Sequence, residues 1–209
     1  MTISLVTAPA AEPVTLAEAK SHTRVDISGD DTLITSLITV ARNTCEGISN
    51  HRFVIQTWDI FLDAFPGEDT LELPKSLTPL VSVTHIKYYD ENDSATTFSS
   101  DDYVVDIYSE PARIKLKDGS SWPSDTLRVM NGVEVRVVVG FGDESAVPQE
   151  YKQAILLLIG HWYENREQVT AKRPAGRAIN PANAARNTGT EFHPGAIRYY
   201  REIEIWPGE

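Results

Sequence analysis

The sequence predicts an α+β fold: two N-terminal helices and a long late helix form a helical core, an antiparallel β-sheet or sandwich is inserted between them, and an extended tail follows. Three observations predict it. Apolar residues recur at helical spacing over 33–48, they switch to a two-residue alternation after Arg52, and a nearly unbroken apolar run follows Pro148. The corresponding divisions are 1–52 for the helical start, 53–142 for the β insertion, 147–167 for the late helix and 168–209 for the tail.

Thr15-Leu16-Ala17-Glu18 has the form of a capping box, with a hydroxyl at the N-cap and a carboxylate three positions on. A short helix is therefore expected to run to about Arg24. A second helix is expected from Gly29-Asp30-Asp31 through Ser49. Leu33, Ile34, Leu37, Ile38, Ala41, Cys45 and Ile48 make its inward face, and Thr32, Ser36, Thr39, Arg42, Asn43 and Glu46 its outward one. Trp58, Ile60 and Leu62 then alternate with Asp59, Phe61 and Asp63, the repeat of a strand. Further strands are expected over 80–89, 103–108, 112–117, 127–130 and 133–141, where β-branched and aromatic residues lie between clusters of Pro, Gly, Asp and Ser. Asn131-Gly132 predicts a type I′ hairpin joining 127–130 to 133–141, because both residues tolerate positive φ. Asp118-Gly119 is a second turn. Pro148 and Glu150 suit a first helical turn, the one for its missing N–H and the other for the helix dipole. From Ala154 to Ile159 the late helix is apolar around its circumference, so Leu157 is expected inside, with a helix of the same chain or of an adjacent copy covering the back.

The formal charge of −11 and pI of about 4.9 argue against broad binding to nucleic acid or to anionic membrane. Distribution matters more than the sum. Residues 1–165 hold 12 Lys+Arg against 25 Asp+Glu, whereas 166–201 hold 7 against 2. The body is acidic and the tail basic. A lone cysteine, Cys45, excludes an internal disulfide and a thiolate cluster, and is expected as a buried structural thiol. The segment MTISLVTAPAAEPV has neither a basic start nor a long apolar core, and the late apolar run is too short to span a bilayer, so synthesis in the cytosol is expected.

Motifs for catalysis are missing from the sequence. His22, His51, His85, His161 and His193 form no HExxH or HxH pattern, and the one-turn spacing of His161 and Glu164 is common by chance, so no metal is expected. Gly140-Phe141-Gly142 lacks the later glycine and the Lys-Ser/Thr of a phosphate loop and reads as a strand end. Asp30-Asp31, Asp90-Glu91, Asp101-Asp102 and Asp143-Glu144 fall at turns and caps, where carboxylates bond locally. Ser120-Ser121 has no nucleophile-elbow context. No cofactor is expected. Arg166, Lys172, Arg173, Arg177, Arg186 and Arg198 alternate with small residues, and Tyr199, Tyr200 and Trp206 add aromatics. Arginine and aromatic residues are enriched at the energetic centres of interfaces, so these positions, together with Leu157, Trp162 and Tyr163 of the late helix, are the candidate contact residues.

Four segments resemble the head-tail connector proteins, also called adaptor or head-completion proteins, of tailed bacteriophages and gene transfer agents. They are VTLAEAKSHTRVD with DDTLITSLITVAR; QTWDIFLDAFP with LELPKSLTPLVSVTHIKYYD; YVVDIYSEPARIKL with WP; and VPQEYKQAILLLIGHWYENRE, together spanning about 13–167. The resemblance implies a structural, non-enzymatic virion protein in a twelve-fold ring of copies at the neck. That ring docks under the portal protein, with a stopper or tail-completion protein below and DNA passing through its channel without specific binding. It also implies that the C-terminal region reaches the portal. Three rival readings keep their place: another neck ring such as a stopper or tail terminator; a small hydrolase with Asp106, Glu110 and Arg113 converging; and a β-sandwich binding module using Trp58, Trp122, Tyr88 and Tyr89.

Overall fold

The computed structural model describes residues 1–165; the expectations for Arg166 and the tail lie outside the described residues. The described residues form α1 over Leu16–Thr23, α2 over Asp31–Ser49 and α3 over Gln149–Glu164; Thr15 caps α1, whereas the Asp30 side chain makes no capping bond to the start of α2. The Thr15 hydroxyl accepts from the Glu18 N–H at 3.2 Å while the Glu18 carboxylate accepts from the Thr15 N–H at 2.7 Å. Those bonds, the one from the Thr15 backbone foremost, hold the Glu18 carboxyl below its ordinary range. Arg24 and Asn50 close α1 and α2 in the left-handed conformation, with φ of 56° and 59°.

The three helices pack on one another around Ile34, Ile38, Ala41, Ile155 and Ile159, and Phe53 and Val54 from the following chain complete this cluster. At the N-cap of α2, Asp30 accepts from the Tyr163 hydroxyl at 2.5 Å, which fastens the start of α2 to the end of α3. The sequence expectation for α3 needs correcting. Helices α1 and α2 of the same chain cover Ile155, Ile159 and their flanks, and Leu157 stands 64% exposed on the solvent side with Gln153 and His161. The helix is thus amphipathic, with one apolar residue misplaced outward, and needs no covering across its whole back.

All strand pairings are antiparallel. One sheet has five strands: β1 (Thr2–Thr7), β2 (Gln56–Leu62), β4 (Leu80–Tyr89), β5 (Ala95–Phe98) and β8 (Val133–Val139), in the order β1-β2-β8-β4-β5. The other has three, β3 (Thr70–Glu72), β7 (Arg113–Leu116) and β6 (Tyr103–Asp106), in the order β3-β7-β6. The two sheets enclose one core. Val133, Val135, Val137 and Val139 are all 0% exposed, and Val135 lies between Ile60 of β2 and Ile86 of β4. Leu71, Tyr103, Ile114 and Leu116 close the core from the smaller sheet.

The strand expected over 80–89 is present at those limits; those over 103–108, 112–117 and 133–141 are shorter. Residues 127–130 form no strand. Leu127 makes a lone bridge to Asp90, the Arg128 N–H donates to the Tyr89 carbonyl at 3.1 Å, and Val129 is 92% exposed. The expected hairpin is therefore not formed, although Asn131 does adopt a positive φ of 53°. Its N–H donates to Asp63 at 2.9 Å, and a side chain on Gly132 would meet the Asp63 carbonyl at 2.7 Å. Local turn preference was satisfied, but the valine strand gains more by lying between β2 and β4, where every inward side chain is buried.

Candidate assembly surfaces

Helix α2 carries three charged residues, Asp31, Arg42 and Glu46, and the latter two are buried, against the expectation that they face outward. Glu46 Oε1 accepts from the Phe53 N–H and from Gln56 Nε2, each at 2.9 Å. Its Oε2 accepts from Arg42 and Arg52, each at 3.3 Å. Arg42 is held in turn by Glu12 at 2.6 Å. The Arg52 guanidinium lies over the Trp58 ring, 4.7 Å from its centre, and the Trp58 indole N–H donates to Gln56 at 3.1 Å. One saturated carboxylate thus joins α2 to the chain entering β2. A buried charge persists only with such partners, which makes this a structural junction rather than a reactive group. The available signal was the i,i+4 pairing of Arg42 and Glu46 in a helix otherwise nearly free of charge.

A second ionic network covers the outer face of the large sheet. Arg136 of β8 makes a two-pronged contact with Asp59 of β2, at 2.7 and 2.8 Å, directly across the register. Beside it, Glu134 accepts from the Tyr89 hydroxyl at 2.6 Å and lies 3.0 Å from His85 Nε2. Burial is the largest influence on Glu134 and pushes its carboxyl up, but His85, Tyr89 and Arg136 together hold it below the ordinary range. The same bond from Tyr89 raises that hydroxyl, and Arg128 lies over the Tyr89 ring at 4.0 Å.

Of the three residues singled out for a hydrolase, Asp106 and Arg113 come together and Glu110 does not. Asp106 meets Arg113 at 2.7 Å and Ser109 Oγ at 2.6 Å, and these bonds, that of Ser109 first, hold its carboxyl far below the usual range. Glu110 turns away toward His51, with 3.7 Å between them. Asp106 and Arg113 line a shallow depression of about 290 Å³ over β3-β7-β6, shared with Thr70, Val104, Val105 and Lys115. Every oxygen of Asp106 is already engaged by its own turn and by Arg113, which leaves it poorly placed to act as a base. Trp58, Trp122 and Tyr88 pack on the β core, and Tyr89 lies under Arg128, so these rings do not form a binding platform. Cys45 is buried, and burial first, then Glu46, raises its thiol.

Of the candidate contact residues, Leu157 stands exposed, whereas Trp162 and Tyr163 are half-buried against the helical cluster. Lys172, Arg173, Arg177, Arg186, Arg198, Tyr199, Tyr200 and Trp206, like Arg166, lie outside the described residues. The turn carboxylates behave as their positions suggested: Asp90 accepts from the Asn92 and Ser94 N–H groups, and Asp143 from Ser145 and Ala146. Among the described residues no group of His, Cys, Asp and Glu could hold a metal ion, and no helix is long and apolar enough to cross a membrane.

The fold of residues 1–165, a helical cluster joined to a two-sheet β unit, is shared with chains from solved gene transfer agent particles. A chain from the virion of the native gene transfer agent (GTA) particle is 25% identical with a TM-score of 0.71, covering 83% of this chain and 90% of that one. A chain from the neck of the native GTA particle, computed with C12 symmetry, is 25% identical with a TM-score of 0.67, covering 85% and 91%. A chain from the neck of the empty particle, computed with C6 symmetry, shares the fold at 24% identity and a TM-score of 0.68, covering 85% and 92%. Comparison with curated proteins found no match. The sequence profile of the phage gp6-like head-tail connector protein matches residues 13–118 and 97–187, and the chain belongs to that family.

Proposed function

We propose that this head-tail connector works as a ring of identical copies between the portal and the tail, and that it carries out no catalysis. The observation that carries the reading is the family match over most of the chain, joined to the likeness to a chain of a GTA neck computed with C12 symmetry, over 91% of that chain's length. The charge distribution supports a division of labour. The acidic body, 12 Lys+Arg against 25 Asp+Glu over residues 1–165, suits a channel wall that DNA phosphates pass without adhering. The basic and aromatic segment 168–209 reaches the portal, with Leu157, Trp162 and Tyr163 near the start of that segment. The lower face of the ring receives a stopper or tail-completion protein.

Capture of portal by full-length protein tests this directly. Replacing Lys172, Arg173, Arg177, Arg186 and Arg198 together by Glu should abolish portal binding while the far-UV circular dichroism and thermal midpoint stay at wild-type values. Portal binding that survives the five replacements refutes the role assigned to the basic segment.

A further inference from the structure

We propose that an uncharged stripe along α2, formed by Leu33, Leu37, Val40, Thr44 and Ile48, is the seam at which one copy meets the next in the ring. The inference rests on the ring reading given above. These residues follow one another at spacings of four, three, four and four, so they fall on one side of the helix, about 22 Å long at 1.5 Å per residue. Leu37 is half-buried against the helical cluster and marks the inner edge of the stripe, so the apolar side chains it leaves uncovered are those of Leu33, Val40 and Ile48. Leu33, Val40 and Ile48 are 37%, 50% and 78% exposed, while Ile34, Ile38, Ala41 and Cys45 are buried. The residues flanking the stripe on the exposed side, Thr32, Ser36, Asn43 and Gly47, carry no charge.

Two further observations point to a dry protein contact. The hydroxyls of Ser36 and Thr44 donate to the carbonyls of Thr32 and Val40, at 3.0 and 2.8 Å. Their donors are already satisfied within the helix, so covering them with another protein surface leaves no O–H unpaired. The second observation is the charge of the remainder. Two copies of a body with 25 acidic against 12 basic residues repel wherever charged surfaces meet, and a charged group is costly at the centre of an interface. An uncharged face more than three helical turns long gives like-charged copies a place to touch without burying a carboxylate. Ring closure makes the contact heterologous, so the stripe of one copy lies against a different patch of its neighbour.

The test uses full-length protein assembled into particles. A photoreactive p-benzoyl-phenylalanine placed at position 40 should, on illumination, cross-link two copies of this chain; a cross-link to portal or a product of single-chain mass overturns the seam. In parallel, the pair Val40→Glu and Ile48→Glu should lower the amount of chain retained in particle necks by more than about tenfold, with the thermal midpoint unchanged. Normal retention also overturns the seam. The two readings fail separately: wild-type chain missing from purified necks removes the connector reading itself, whereas wild-type chain present with a wrong cross-link removes only the seam.

Discussion

Replacing Glu46 by Ala should cost more than any surface change, and the geometry sets the size. The substitution removes the acceptor of the Phe53 N–H, which is fully buried, and of the Gln56 amide, both at 2.9 Å. A buried donor left without an acceptor costs roughly 1–3 kcal/mol. It also strips a carboxylate from Arg52, whose guanidinium keeps the Trp58 ring, while Arg42 retains Glu12 at 2.6 Å. Removing one partner of a buried ion pair costs about 3–5 kcal/mol, and because the losses share one group we take about 4 kcal/mol for the whole. With a urea dependence of about 2 kcal/mol per molar, the unfolding midpoint should fall by about 2 M. Glu46→Gln keeps an acceptor and the shape and should lose about half as much. The assay is equilibrium urea unfolding followed by tryptophan fluorescence, to which Trp58 at the junction contributes together with Trp122, Trp162 and Trp206. A midpoint within about 0.5 M of wild type for Glu46→Ala, with an unchanged slope, refutes the claim that this carboxylate joins the helices to the sheet.

Leu157→Asp should leave thermal stability within about 0.5 kcal/mol of wild type, because the side chain is 64% exposed; a loss of several degrees in calorimetry would show that Leu157 packs within the monomer. Asp106 gives a pH signature. Its folded carboxyl is depressed by Ser109 and Arg113, so folding favours the ionised form, and the stabilisation is complete above the ordinary aspartate range near about pH 4 and fades as pH falls below it. The stability difference between wild type and Asp106→Asn should therefore be flat from neutral pH to about pH 5 and shrink below about pH 4; a difference that grows on acidification refutes it.

What the sequence disclosed was local. The Thr15 and Glu18 pair placed the start of α1, the apolar spacing placed α2 to its last turn, and β4 lies within the predicted limits, which rest on its β-branched and aromatic residues between turn clusters. What it concealed was choice of partner. Strand β1 has little pattern of its own, with Ile3 alone packing inward, and exists because the free edge of β2 offers backbone groups for pairing. Asn131 took the conformation its type prefers, yet the strand after it paired with residues far away. At Arg42 and Glu46 the phase of α2 is hidden from the sequence, because a buried ion pair looks like a surface one until Glu12, Arg52 and Gln56 are brought to it. The candidate surface follows the same rule: the period places Leu33 and Ile48 inward, yet they stand exposed, because only the packing of α1 and α3 decides which side of an apolar helix is left uncovered.

The central place of β8 bears on how the protein is made. Asp59 and Arg136 face each other across neighbouring strands yet are 77 residues apart, so β2 and β4 wait for a partner that leaves the ribosome long after them. Until then the nascent chain presents two open strand edges and a set of uncovered inward residues, the circumstances in which wrong pairing between polysomal neighbours is most favoured. Yield from a fast expression host should for this reason depend on translation speed and temperature more than on the stability of the finished subunit.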